Sequence, residues 1–276
     1  MPKPRDIPFS RMQIISDAPV FVKHFSRYGN VAMKTEAHRD DYYIVAFLTD
    51  GSATVEIDFE QIELHAGEVL IVSPWQVHGK PSTAAWRVDG WILAFAPEML
   101  TDTEAQLIEQ YSISPRPFRP GNSIINDISL MCSILERNSD NISISAAMAS
   151  AIKTIVVSTL YISDGDISGR YSAIALKLRK LIDIHITSEK GPAAYAAMLN
   201  ISEVYLNEAV KAVTGLSAGA YIRSRAILQA KRQLAYTSLS AKEIAYALGY
   251  DDYAYFSKLF KKSVGRSPSE YRKNLK

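Results

Sequence analysis

Few side chains in this sequence have the type and spacing that chemistry demands. His38, within Ala37-His38-Arg39-Asp40, and the later His78 can ligate metal. A catalytic metal needs about three protein ligands, however, and two histidines do not complete a set, so no metal site and no cofactor are expected. Cys132 is the single cysteine. A nucleophilic or methyl-accepting thiol needs a polar or metal-bound setting, and Leu130-Met131-Cys132-Ser133-Ile134-Leu135 is apolar, so Cys132 reads as inert. Tyr43, Trp75 and Trp91, with His38 and His78, offer flat apolar faces and a few polar tips, which suits a small organic effector. The same residues can equally be core or rim aromatics. No catalytic residue is expected. What remains is positive charge, with Arg223, Arg225, Lys231, Arg232, Lys258, Lys261, Lys262, Arg266 and Arg272 all falling near the C-terminus.

That placement matters because the overall net charge of +2 conceals two unlike halves. Residues 1 to 165 hold 13 Lys and Arg against 20 Asp and Glu, a net −7; residues 166 to 276 hold 18 against 9, a net +9. Only the second half suits a polyanion such as nucleic acid. Length, at 276 residues, fits two domains, here 1–165 and 166–276, and 47% hydrophobic with 22% charged residues excludes a disordered or fibrous chain. A lone cysteine and the lack of an apolar leader at the start point to the cytoplasm. The apolar stretch from Ile142 to Ile162 carries Lys153, Ser143, Ser145, Ser150 and Ser158, so it reads as a buried or interface helix, with no membrane partner.

The elements that must position these residues are legible by period. Tyr42 to Leu48 is β-branched and aromatic, Asp50-Gly51 is a turn signal, and Val55, Ile57 and Phe59 alternate with Glu56, Asp58 and Glu60, which predicts a hairpin. Ile62 and Leu64 follow, then the turn His65-Ala66-Gly67-Glu68 and the buried run Val69 to Val72. Short strands at this spacing favour a sandwich or barrel. Beyond Pro97 the period becomes helical, and two helices, Ile124 to Leu135 and Ile144 to Leu160, are expected to trail the sheet.

The basic half opens with an amphipathic helix, Tyr171 to Thr187, and then repeats itself. Tyr205-Leu206, Val210-Lys211, Gly215, Ser217 and Tyr221 return fifty places later as Tyr255-Phe256, Phe260-Lys261, Gly265, Ser267 and Tyr271, with one extra residue in the second copy between Leu248 and Tyr255. Each copy reads as helix, tight turn, helix: Tyr195 to Leu199 with Glu203 to Thr214, and Lys242 to Leu248 with Tyr253 to Val264. Ser202 and Asp251 or Asp252 are the capping candidates. A helix-turn-helix lays its second helix in the DNA major groove. The connector, Ser217 to Tyr236, would span roughly 30 Å as one helix, against about 34 to 36 Å between successive grooves on one face.

Two resemblances follow. Gly67-Glu-Val-Leu-Ile-Val-Ser-Pro-Trp-Gln-Val-His78 resembles the cupin-like, effector-binding barrel of bacterial regulators, although metal-binding cupins carry an early His-x-His with a following Glu where this chain has only His38. Ile244-Ala245-x-x-Leu248-Gly249-Tyr250, then Tyr255-Phe256-Ser257-Lys258-Leu259-Phe260-Lys261-Lys262, then Gly265-x-Ser267-Pro268-x-x-Tyr271-Arg272, resembles the AraC family of transcriptional regulators. The resemblance implies an α+β multidomain chain: an N-terminal cupin-like β-barrel with trailing helices, and a C-terminal all-α domain of seven helices with two helix-turn-helix units. It implies double-stranded DNA and a small-molecule effector as partners, a homodimer paired through the Ile124 to Ile162 helices, and RNA polymerase if the protein is an activator. DNA contacts are assigned to Ser202, Tyr205, Asn207 and Lys211 in the first unit and to Tyr253, Ser257, Lys258, Lys261 and Lys262 in the second. Arg223, Arg225, Lys231, Arg232, Arg266 and Arg272 are phosphate candidates, and Tyr255, Phe256, Leu259 and Phe260 are expected in the core. Glu203 and Glu208 stand in the first reading helix where neutral or positive residues suit DNA better. The rival readings are a cupin-type metal enzyme, which lacks its ligand set, and a DNA-repair methyl acceptor, which would need a reactive Cys132.

Overall fold

A computed structural model describes residues 9–11, 20–24, 38–74, 76–79, 88–163 and 169–275. They fall into two compact units that divide between Ser168 and Gly169.

The first unit is built on one long strand. β1 (Phe9–Ser10) runs parallel to β3 (Arg39–Asp40), and β2 (Val20–His24), β4 (Tyr43–Ile57), β5 (Glu60–His65), β6 (Val69–Val72), β7 (His78–Gly79) and β8 (Val88–Phe95) form an antiparallel sheet with path β2-β8-β4-β5, on which β6 and β7 also pair with β4. β4 serves β8 and β6 with its first half and β5 and β7 with its second.

The turn expected at Asp50-Gly51 does not form. The strand runs through it as a bulge, with a register shift against β8 between Leu48 and Asp50, and Gly51 takes the left-handed φ of 80°. The hairpin turn comes later, at Asp58-Phe59, whose φ values of 52° and 68° are the paired positive values of a type I′ turn. Asp58 is held there by Val77, whose N–H reaches its carboxylate at 3.1 Å and whose carbonyl accepts from its N–H at 2.6 Å. The bulge also reverses side-chain parity: Ala46 and Leu48 before it share an apolar face with Ala53, Val55 and Ile57 after it, joined by Leu64, Leu70 and Val72.

The opposite face of the sheet carries Tyr43, Val45, Phe47, Val69, Ile71, Trp91, Leu93 and Phe95, and helices cover it. Three helices follow the sheet among the described residues, not two: α1 (Asp102–Tyr111), α2 (Asn122–Arg137) and α3 (Ile142–Ser163). α1 begins at a capping box in which Thr101 and Glu104 satisfy each other's backbone N–H groups, and the Thr101-x-x-Glu104 spacing was its available signal. α2 buries Ile125, Ile128, Cys132 and Leu135 at helical spacing, and α3 buries Ala149, Ile152, Val156, Val157 and Leu160. α3 is the one described helix long and apolar enough to cross a membrane by length and composition, yet its buried stripe packs into this core.

The second unit is all helical: α4 (Arg170–His185), α5 (Pro192–Met198), α6 (Glu203–Thr214), α7 (Ala218–Tyr236), α8 (Ala241–Ala247), α9 (Tyr253–Val264) and α10 (Pro268–Asn274). α7 is the hub, burying Ala218, Tyr221, Ile222, Ala226, Ile227, Ala230 and Leu234 against α5, α6, α8, α9 and α10. Its 19 residues make a rod of about 28 Å.

Candidate functional site

The internal repeat survives in three dimensions. α6 and α9 begin and end fifty residues apart, each capped by a side chain, Ser202 on Tyr205 N–H and Asp252 on Ala254 N–H, and each closed by a glycine in the left-handed region, Gly215 and Gly265. The extra residue of the second copy lies in its turn, Gly249 to Asp252. Asn200 and Gly249 take positive φ (54° and 75°) at the corresponding corner. Gly249 is further constrained, because a Cβ there would stand 1.7 Å from the Thr187 carbonyl oxygen.

The outward faces of the two second helices differ in charge. α9 exposes Ala254, Tyr255, Lys258, Lys261 and Lys262, while Phe256 and Phe260 are fully buried, Phe256 against Tyr250 and Phe260 against Tyr271. Tyr253 and Ser257 are half-buried on its flank. Tyr255, expected in the core, is 56% exposed, and Leu259 is half-buried. α6 exposes Glu203, Val204, Glu208, Lys211 and Ala212. Lys261 and Lys262 in the last turn of α9 also suit the negative end of its dipole.

Several residues assigned to DNA have work inside the unit. Asn207 accepts the Ala218 N–H through Oδ1 at 3.0 Å, joining α6 to the start of α7. Tyr205 packs edge-on against Tyr171 with Arg170 over its ring, and Ser202 is a helix cap. Arg225 pairs with Asp183 at 3.1 Å and its side chain is 14% exposed, and Arg232 is half-buried on α7. Arg272 donates to the carbonyls of Leu234, Leu239 and Gln233 and so clamps α10 to the end of α7. Arg223 and Arg266 are exposed; Lys231 is half-buried.

In the first unit the expected aromatic site does not assemble as one set. Tyr43 stacks on Phe95 and Trp91 meets His24 edge-on while donating from Nε1 to Ser129 on α2, so both lie under the helices. Trp75 lies outside the described residues. His38 and His78 do come together, at a ring-centroid distance of 4.5 Å, and they do so with a third group that sequence reasoning missed, Asp40. Asp40 was legible in principle, because in an extended chain residues two apart share a face. His78 pairs across the sheet with Ile57, which places these groups on the Leu48, Ile57 and Leu70 side.

Cys132 is fully buried on α2, and burial, with Glu136 adding to it, pushes its thiol far above the usual range. A buried, protonated thiol is a weak nucleophile and a weak metal ligand.

Comparison with known proteins agrees with this anatomy. A model described as an AraC-like ligand binding domain matches residues 19–152, and one described as a helix-turn-helix domain matches residues 195–274. The regulatory protein SoxS of Salmonella typhimurium is 33% identical over 105 residues, which is 38% of this chain and 98% of SoxS. The uncharacterized HTH-type transcriptional regulator YijO of Escherichia coli is 32% identical over 106 residues, 38% of each chain, so the match spans well under half of that relative. Among solved structures, ToxT from Vibrio cholerae is 14% identical over 93% of this chain and 97% of its own, with a TM-score of 0.45. With an AraC-like ligand-binding unit before a double helix-turn-helix and a match to nearly all of SoxS, the chain belongs to the AraC family of transcriptional regulators.

Proposed function

We propose that this regulator reads DNA chiefly through α9, with residues 166–276 as the DNA-binding domain and residues 1–165 as the effector-binding and dimerisation domain. The observation that carries the reading is the charge contrast between two helices of matching bounds: Lys258, Lys261 and Lys262 face outward on α9 where Glu208, Lys211 and Ala212 stand on α6. Lys258 can donate to guanine or approach phosphate, whereas Glu208 is repelled by phosphate and can accept only from a base donor such as the cytosine amine. Tyr253 and Ser257 complete the reading face of α9; Arg223 and Arg266 supply phosphate contacts. The α7 rod of about 28 Å, which joins the two helix-turn-helix motifs within the second unit, suits neighbouring major grooves.

A small effector acts through the sheet unit, the α2 and α3 helices pair two chains, and RNA polymerase is the further partner where the protein activates. The protein works in the cytoplasm and is not an enzyme. Titrating variants against an operator selected from random duplex DNA tests the reading. Lys258→Ala weakens specific binding by about 1 to 3 kcal/mol and Glu208→Ala leaves it unchanged or strengthens it. A large loss from Glu208→Ala, confined to sites carrying one particular base, would show that α6 reads sequence and overturn the unequal division.

A further inference from the structure

We propose that His38, Asp40 and His78 form a binding site for a divalent transition metal ion of the zinc class. Backbone geometry alone brings them together. His38 and His78 stand opposite each other in an antiparallel bridge and exchange both hydrogen bonds, at 2.9 and 3.0 Å, so their side chains leave from the same face. Asp40, two residues beyond His38 in extended chain, shares that face. The Asp40 carboxylate then stands between the rings, with Oδ2 3.1 Å from His78 Nε2 and Oδ1 3.8 Å from His38 Nε2, and the ligand atoms of all three residues lie within 4.8 Å of one another. Ligands bound tetrahedrally to one ion at about 2.0 to 2.2 Å stand roughly 3.3 Å apart.

Hydrogen bonding explains one side of His78 and leaves the other open. Its Nδ1 lies 3.1 Å from the Gln76 carbonyl, which can only accept, so Nδ1 carries a proton and the lone pair of the uncharged ring, the form that ligates metal, falls at Nε2. That lone pair faces a carboxylate oxygen, another acceptor. Both groups are buried, Asp40 at 1% and His78 at 8% exposure, and among the described residues neither Asp40 oxygen nor His78 Nε2 has a hydrogen-bond partner beyond the contacts these three residues make with one another. Burying acceptors without donors is costly. A cation between them turns facing acceptors into coligands, and the carbonyl on Nδ1 is the outer partner that metal-bound imidazoles use to fix their orientation. Two imidazoles and one carboxylate suit zinc and its first-row neighbours, and three protein ligands leave a position for water or for an oxygen or nitrogen atom of a bound molecule. The site is independent of the assignment of groove reading to α9.

The test uses the full chain, stripped by chelator and titrated with Co²⁺ and then Zn²⁺. One equivalent of Co²⁺ per chain is expected, with visible absorption of a four-coordinate ion that Zn²⁺ displaces, and Zn²⁺ is expected to raise the melting temperature of the wild type. Asp40→Asn and His78→Gln should each weaken binding by more than the roughly 10- to 100-fold that an outer-shell partner contributes. His65→Gln, which alters the exposed His65 and Glu63 pair, should not change it. If the folded wild type takes up no stoichiometric Co²⁺ and gains no thermal stability from Zn²⁺, or if both ligand variants bind as the wild type does, the proposal is overturned and Asp40 and His78 share only a proton.

Discussion

Lys153 Nζ donates to Glu104 Oε2 at 2.8 Å and to the Met99 carbonyl at 3.1 Å, tying the middle of α3 to the first turn of α1. It is the only charged side chain in α3, it is 6% exposed, and the carboxylate it meets also completes the α1 capping box. An apolar helix that resembles a membrane span by composition thus spends its one charge inside the core.

Lys153→Met keeps the aliphatic stem but strands Glu104, which retains only its Thr101 bonds. We expect a loss of about 2 kcal/mol at neutral pH, less than for a fully buried pair because Glu104 is partly accessible. Burial pushes the Glu104 carboxyl up, but the bonds from Lys153 and Thr101 together outweigh it and hold it below its ordinary 4.5. A group lowered in the folded state stabilises above its unfolded value and loses that contribution as pH falls through the folded one. Denaturant unfolding of wild type and variant should therefore differ most at pH 6 to 7 and converge below pH 4; a constant difference would contradict the pairing.

Gly249→Ala should cost more than about 2 kcal/mol, because strain at positive φ adds to a clash with the Thr187 carbonyl. Gly249→Asn separates the two terms. Asparagine holds the corresponding corner at Asn200, so any loss it causes at 249 measures the Thr187 contact. Equal stability of Gly249→Asn and wild type, by chemical denaturation, would remove the contact from the account.

Cys132 should not react with an aromatic disulfide reagent at pH 8 while the chain is folded, and should report one thiol per chain once denatured. Rapid stoichiometric modification of the native protein would revive a chemical role for this thiol.

The periodic elements were legible where local pattern and tertiary demand agree. α6 and α9 have the bounds their caps and glycines imply, and the repeat placed both. The legible signals failed where a single residue type serves two structures: Asp50-Gly51 can make a turn or a bulge, and pairing of β4 with both β8 and β5 decides for the bulge. Arginines were opaque for the same reason. Arg272 and Arg225 look like phosphate contacts in sequence, and only the positions of the Leu239 carbonyl and of Asp183 show them occupied. The juxtaposition of Asp40 with His78 depends on a long-range bridge that no local pattern encodes.

Arg272→Ala and Arg225→Ala should lower stability, the first by about 1 to 3 kcal/mol through its unsatisfied carbonyls, and leave the salt dependence of DNA binding unchanged. Lys261→Ala and Arg266→Ala should do the reverse, each reducing the slope of log K against log salt by about 0.9. A slope reduced by Arg272→Ala would return that residue to the phosphate backbone.

Selection of binding sites from random duplex DNA by the full-length protein tests the central claim most directly. One strongly specified block of bases, read by α9, is expected, with a weakly specified block about one helical turn away under α6. Repeating the selection with Lys258→Ala should erode the strong block alone. Two equally constrained blocks, or no enrichment by a folded protein at low salt, would contradict it.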